Sequence, residues 1–508
     1  RGGARDFQSR RPTPPRAYSC PQVRGLPAEQ GNRKKFLLFF DKFWTEKRIF
    51  NKELFYLCAK AGRGLRKIRT RRRPANTFII KKFYNIMKRT ILILTMLLAL
   101  NLSALAQKVQ LFLIPDTPTM TYHVGEQARM KVIALDCGVA IYDAEVSYEV
   151  SEDLMPAHEK STVKLKGPEA VIKVGTMKKP GFLRVRAKIE YDGQSYSTTS
   201  TVGFDPEKLE PTTPMPKDFD EFWQKGLEQL SKVKLNPTME LLPERCTDKV
   251  NSYLVSYGNI NNTRMYGILT VPKAEGKYPA IVRLPGAGVH AIGGDTKNAA
   301  KGVIILELGI HGIPVNFDSE VYAALNRQAS LRAYHTINID DRDTYYYRRV
   351  FLGCVKAIDF FETLPQYNGK VGTLGGSQGG LLSIVVSRLD PRVKASAIYF
   401  PAFCDQEGYI NRRAGGWPHT FKSDNNRTKQ IIETQRYYDA VNFARGLKAP
   451  VFYAFGYNDV TCAPTTTYTT YNIIEAPKQL CVSPNTGHWL PSEHVTKMWN
   501  WIIDELNK

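Results

Sequence analysis

Three residues, far apart in the chain, are of the types that turn a hydroxyl into a nucleophile: Ser377, Asp459 and His488. Ser377 lies in Leu374-Gly375-Gly376-Ser377-Gln378-Gly379-Gly380, where Gly375, Ser377 and Gly379 fit the spacing G-x-S-x-G. A short apolar run ends at Leu374 and LLSIVVSRL follows, so the serine falls at a strand–turn–helix junction. Such a turn strains the backbone, needs small neighbours, and aims the N-terminus of the helix at the exposed hydroxyl. A serine hydroxyl still needs a base. His488, in Asn485-Thr486-Gly487-His488, supplies one, and Asp459, in Gly456-Tyr457-Asn458-Asp459, would hold the imidazole in one tautomer and stabilise its charged form. A lone glycine-rich turn, loop aspartate or loop histidine is ordinarily structural; all three together, in the order Ser, Asp, His, argue for acyl transfer. Developing negative charge needs two N–H donors. The first is expected at Gln378. The second is expected at Ala287 in Pro285-Gly286-Ala287-Gly288, since proline has no N–H to give. His290, His311, His335 and His419 match no further role in this chemistry, the cysteines form no zinc pattern, and no metal or cofactor is implied.

The elements that must position these residues are legible from periodicity. From about residue 250, apolar runs such as MYGILTVP, PAIVRLPG, GVIILELG, ASAIYFPAF and APVFYAFG alternate with helical stretches at 345–364 and after Ser377. That alternation predicts an α/β fold with a mostly parallel sheet covered on both faces. Reactive residues in such sheets lie beyond the carboxyl ends of the strands, where Ser377, Asp459 and His488 fall. The segment 206–216 is too rich in proline for a helix, and FDEFWQKGLEQL after it has an apolar stripe at helical spacing. Upstream, residues 107–205 read as short alternating strands separated by turns. They predict a small, immunoglobulin-like β-sandwich that serves as a spacer or covering module in preference to a carbohydrate-docking one.

The first part of the chain has a different character. Its first methionine is Met87, and MKRTILILTMLLALNLSALAQ has a basic start, an apolar run and a small-x-small cleavage pattern. Residues 87–106 are therefore expected to be a signal peptide, and residues 1–86 upstream translation absent from the working protein. The whole chain carries a net charge of +23, but residues 1–106 hold 25 Lys and Arg against 5 Asp and Glu. The remainder has 46 against 43, so it offers no electrostatic case for nucleic acid. Export to the periplasm or beyond the cell is expected, without a stable membrane span. Six cysteines follow the signal segment and are read mostly as buried thiols.

FDEFW, YYYRRV, GTLGGSQGGL, LDPRVKA, Phe403-Cys404-Asp405, LKAPVF and GYNDVTCAP occur in order, followed by Gly487-His488. In these motifs the chain, from about Phe219 to the C-terminus, resembles the acetylxylan esterase / cephalosporin-C deacetylase family, carbohydrate esterase family seven. The resemblance implies an α/β-hydrolase over 206–508 that removes acetyl groups from sugar hydroxyls without a metal, with Ser377, Asp459 and His488 as its triad. It implies an acetylated carbohydrate as partner, plant polysaccharides such as xylan or their oligomers, and allows a homo-oligomer. The chain departs from the family at three places. Gly309-Ile310-His311-Gly312 stands where the family carries Arg-Gly-Gln, Trp489 follows the histidine in place of Glu, and Pro285-Gly286-Ala287 replaces His-Gly-Tyr. His311 is a candidate to replace a lost hydrogen bond near the site. Two rival readings are a related hydrolase acting on other acyl esters or peptides, and a carbohydrate-binding protein that kept the fold without the catalysis.

Overall fold

Strands buried on both faces set the architecture. In Tyr278–Leu284, Ala280 and Val282 enter one core cluster and Ile281 the other, as expected of a strand covered on both sides. The computed structural model describes residues 108–327 and 331–508. The expected signal peptide at 87–106 and the upstream segment 1–86 lie outside the described residues.

The strand of Tyr278–Leu284 belongs to a nine-stranded mixed sheet. Its members are β10 (Thr238–Leu241), β11 (Val250–Asn259), β12 (Thr263–Pro272), β13 (Tyr278–Leu284), β14 (Ile304–Gly309), β15 (Tyr367–Gly376), β16 (Val393–Tyr399), β17 (Val451–Gly456) and β18 (Lys478–Ser483). They lie in the order β10-β11-β12-β14-β13-β15-β16-β17-β18. From β14 to β18 every pairing is parallel, while β10, β11 and β12 add an antiparallel edge. The edge strands β10 and β11 are not among the expected runs, because polar residues break their alternation.

Helices cover both faces. We label those that bear on the site α1 (Phe219–Ser231), α2 (Tyr346–Phe361), α3 (Gln378–Leu389), α4 (Pro464–Asn472) and α5 (Ser492–Asn507). Val350 and Phe351 of α2 and Ile384 and Val385 of α3 share a core with Val282 and Leu306. On the other face Trp499, Ile502 and Leu506 of α5 pack with Ile281, Ile305, Ala397 and Ala454. Leu506 is fully buried there, and truncating such a side chain to alanine costs about 2–5 kcal/mol. The stripe of α1 is core, as its spacing predicts: Trp223 is buried, packs on Phe351, and donates its indole N–H to the carbonyl of Tyr437.

β16 is shorter than its apolar run. It ends at Tyr399, because Phe400 (φ 32°) and Phe403 (φ 57°) turn the backbone through the left-handed region. The turn carries the chain beneath the serine junction, where the N–H of Ala402 donates to the carbonyl of Ser377 at 2.9 Å.

Residues 109–204 carry β1 (Val109–Pro115), β2 (Thr121–Tyr122), β3 (Ala128–Asp136), β4 (Val139–Ala140), β5 (Glu145–Glu152), β6 (Ala157–Lys164), β7 (Ala170–Gly175), β8 (Gly181–Tyr191) and β9 (Gln194–Phe204). One sheet has the order β1-β3-β4 with β7 on β3, the other β2-β9-β8-β5-β6. The second half of β9 buries Ser200 and Thr201, so no apolar alternation marks that strand in the sequence. The apolar faces of these strands run without a break into the core beneath the large sheet. Among the described residues no helix is long and apolar enough to cross a membrane.

Candidate active site

Ser377 stands between β15 and α3 with φ 57° and ψ −124°, a conformation an L-residue adopts only under constraint, at a cost of about 1–3 kcal/mol. Hydrogen bonds hold it there. Its N–H donates to the carbonyl of Tyr399 at 3.1 Å, and its carbonyl accepts from Gly380 at 2.9 Å and Leu381 at 3.2 Å. The glycines follow from crowding. A Cβ on Gly375 would come within 2.4 Å of the Gly379 carbonyl oxygen, and one on Gly379 within 2.2 Å of the Leu284 oxygen. No larger residue fits at either position without moving the backbone.

Asp459 follows β17 and His488 follows β18, both at carboxyl ends of parallel strands. The two are paired: Nδ1 of His488 lies 2.7 Å from Oδ2 of Asp459. Asp459 is fully buried, and its other oxygen, Oδ1, accepts from the N–H groups of Thr461 at 2.8 Å and Cys462 at 2.9 Å. An ionised carboxylate only accepts, so Nδ1 carries the proton and Nε2 keeps its lone pair for a substrate-side proton. The two loops are tied to each other, since the N–H of Asn458 donates to the carbonyl of Thr486 at 3.0 Å. The ring of Phe400 lies 4.3 Å from that of His488 and links it to the turn beneath the serine. Burial, and next the Asp459 charge, push the thiol of Cys462 far above its ordinary range, so the residue whose N–H braces Asp459 stays a neutral thiol.

Gln378 and Ala287 occupy facing segments. Gln378 opens α3, so its N–H is one of the donors a helix start leaves without an intrahelical partner. Its buried side chain spans the gap to the loop after β13: Nε2 donates to the carbonyls of Gly286 at 3.2 Å and Pro285 at 3.4 Å. Its Oε1 accepts from the hydroxyls of Tyr334 and Tyr347, each at 2.7 Å. The loop is braced on its far side by Gly288, whose N–H donates to the hydroxyl of Tyr334 at 3.3 Å. The Gly288 carbonyl lies 2.8 Å from Nε2 of His311, whose Nδ1 is 2.7 Å from the hydroxyl of Tyr346. A carbonyl only accepts, so Nε2 bears the proton and Nδ1 accepts from Tyr346. Burial first, and then the Arg349 charge, hold His311 below the ordinary histidine range and keep it neutral. Ala287 sits between these anchors.

The bracing tyrosines Tyr334, Tyr346 and Tyr347 are not among the residues expected at the site. The run Tyr345-Tyr346-Tyr347 is a signal for the last two, since buried phenols need partners; nothing in the sequence marks Tyr334. His290, His335 and His419 remain outside the paired set: His290 contacts its own loop at Ala291, His335 packs on Trp417, and His419 bonds Tyr409. Trp489, beside the paired histidine, is 57% exposed. Among the described residues no group of three or more His, Cys, Asp or Glu side chains could hold a metal ion.

Comparison with known proteins shows the family of the chain. Residues 206–505 match the acetyl xylan esterase (AXE1) family. The chain is 40% identical over 394 residues to acetyl esterase Axe7A of Xylanibacter ruminicola, a match covering 77% of this chain and 89% of that protein. Two solved structures share the fold. Acetyl xylan esterase 1 from Thermoanaerobacterium sp. JW/SL YS485 superposes with a TM-score of 0.52 at 22% identity, over 59% of this chain and 97% of that one. The acetyl xylan esterase from Paenibacillus sp. R4 gives 0.51 at 24% identity, over 59% and 98%.

Proposed function

The chain belongs to the acetyl xylan esterase family, and from that premise we propose that it is a serine esterase that removes acetyl groups from carbohydrate hydroxyls, with Ser377, His488 and Asp459 as its triad. The hydroxyl of Ser377 attacks the acetyl carbonyl while Nε2 of His488 takes its proton. The N–H groups of Gln378 and Ala287 receive the oxyanion. His488 returns the proton to the departing sugar hydroxyl, leaving an acetyl-enzyme. A water molecule, deprotonated by the same nitrogen, then attacks that acetyl group and frees acetate and Ser377.

The observation that carries this reading is the 2.7 Å contact between Asp459 and Nδ1 of His488, made beyond the strands on one side of the strained Ser377 junction. Backbone N–H groups already occupy the other carboxylate oxygen, so the pair has one available geometry. The substrate class rests on the family and on the name of the Axe7A relative; acetylated xylan or its oligomers is the finer assignment. Residues 107–205 are read as an immunoglobulin-like β-sandwich preceding the hydrolase, and residues 87–106 as an export signal that places the enzyme in the periplasm or outside the cell.

The test is Ser377→Ala, assayed for acetate released from acetylated xylo-oligosaccharides and for labelling by a fluorophosphonate. Loss of both is expected; a variant that keeps the parental rate sinks the assignment.

A further inference from the structure

Arg184 lies on β8 and is completely buried. Taking a guanidinium out of water costs several kcal/mol, which only well-placed acceptors can offset. One acceptor comes from its own region: Nη2 donates to Oδ1 of Asp153 at 2.6 Å. The other three are consecutive backbone carbonyls of the loop after β17. Nη1 donates to Asn458 at 3.0 Å, and Nη2 to Asp459 at 2.9 Å and Tyr457 at 3.3 Å. Asp153, also buried, turns its second oxygen to the N–H and hydroxyl of Thr465 at 3.2 and 2.9 Å, at the start of α4. The ion pair therefore grips the segment 457–465 at both ends. Between those ends lie Asp459 and the two N–H groups that fix its Oδ1. Phe182, two residues before Arg184, adds an edge-on contact with Tyr457 at 5.0 Å.

We propose that Arg184, oriented by Asp153, is a positioning residue of the esterase site, and that the β region is thereby part of the catalytic apparatus. The inference rests on the triad reading above. Its physical content is a chain of constraints. The cation fixes three successive carbonyls, these fix the backbone of Asp459, and that backbone decides whether Oδ2 meets Nδ1 of His488. Stability alone accounts poorly for the arrangement, because a buried ion pair is seldom more stabilising than apolar residues of equal volume. In addition, Nε of Arg184 has no acceptor among the described residues. The match to Axe7A spans more residues than 206–508 contains, so that relative carries at least part of the β region too.

The experiment uses the full chain and two variants. Arg184→Met/Asp153→Leu replaces the pair by apolar groups and keeps the interior filled. Arg184→Lys keeps the charge but brings three donors on a single nitrogen to four acceptors that two guanidinium nitrogens share. The kcat and KM on p-nitrophenyl acetate and the melting temperature are read together. The double variant is expected to melt below the parent, because three loop carbonyls and the Thr465 N–H lose their partners, to lose kcat by about 10–100-fold, and to keep KM within about threefold. Arg184→Lys should fall between the two in kcat, again with KM little changed, and decides the matter if the double variant does not fold. A folded variant with parental kcat, or a loss confined to KM, overturns the proposal. Ser377→Ala and Asp459→Asn are measured alongside. If they retain activity, the triad reading itself fails; if they are inactive while the Arg184 variants match the parent, only the positioning role fails.

Discussion

The side-chain amide of Gln378 donates to the carbonyl of Gly286 at 3.2 Å, so the residue after Ser377 physically holds the loop that faces it. One side chain thereby sets the spacing between the two segments that carry the proposed oxyanion donors, Gln378 and Ala287. Gln378→Glu tests this, since the new carboxylate keeps an oxygen for Tyr334 and Tyr347 but turns another toward the carbonyls of Pro285 and Gly286. At pH 8 kcat is expected to fall at least about tenfold, a fraction of the loss seen when an oxyanion donor is removed outright. Toward pH 6 the ratio to the parent should recover, because a protonated carboxyl can donate where the amide did. A ratio that does not change with pH would count against this bracing role.

Asp459→Asn has an outcome fixed by its neighbours. Thr461 and Cys462 each donate to Oδ1, so the amide must place its oxygen there and its NH2 toward His488. Two donors then meet unless the imidazole moves its proton to Nε2, the nitrogen needed as base. A drop in kcat of about 10⁴-fold with an unchanged melting temperature is expected, as for a triad locked in the wrong tautomer. Kinetics within tenfold of the parent would remove Asp459 from the mechanism.

How far the sequence revealed this site depended on the range of each interaction. The serine junction was legible because its demands are local: glycines within two residues, a strand before and a helix after. Asp459 and His488 were legible as types in the right order, although their pairing depends on adjacent parallel strands. The grip of Arg184 on the Asp459 loop left no trace, since 275 positions separate the two residues and β8 looks like any half-polar strand. The support around Gly288 was half visible. His311 stood out as a departure from the family pattern, but Tyr346, its hydrogen-bond partner, reads in sequence as part of a helix start. In the fold, the parallel strands showed as apolar runs, whereas β9 hid because it buries Ser200 and Thr201 in place of apolar side chains.

The strained serine should be a measurable liability. Both Ser377→Ala and Ser377→Gly remove the hydroxyl, but only glycine is at ease at φ 57°, ψ −124°. Relief of about 1–3 kcal/mol of strain, less about 0.5–1 for the added freedom of the unfolded chain, leaves the glycine variant ahead by about 1 kcal/mol. Chemical denaturation of the two variants reads the difference directly. Equal stabilities would mean that the junction stores no strain.

His311 makes a pH-dependent contribution whose sign follows from its burial. Its pKa in the folded protein lies below the ordinary 6.5, chiefly from desolvation, with Arg349 and His290 as the nearby groups acting in the same direction. As pH falls below about 6.5 the unfolded chain takes up a proton that the folded protein still refuses, so stability is lost from there down to the depressed folded value. The loss approaches about 1.4 kcal/mol per pH unit for one proton. His311→Gln can still offer an N–H to the Gly288 carbonyl but does not titrate. His335 and His419 also sit below their ordinary range, and they are common to both proteins, so their effect cancels in the comparison. Unfolding free energies at pH 7 should favour the parent, and the gap should narrow or reverse by pH 5. A gap that stays constant between those two values would show that His311 takes up its proton in the folded protein as readily as in the unfolded chain.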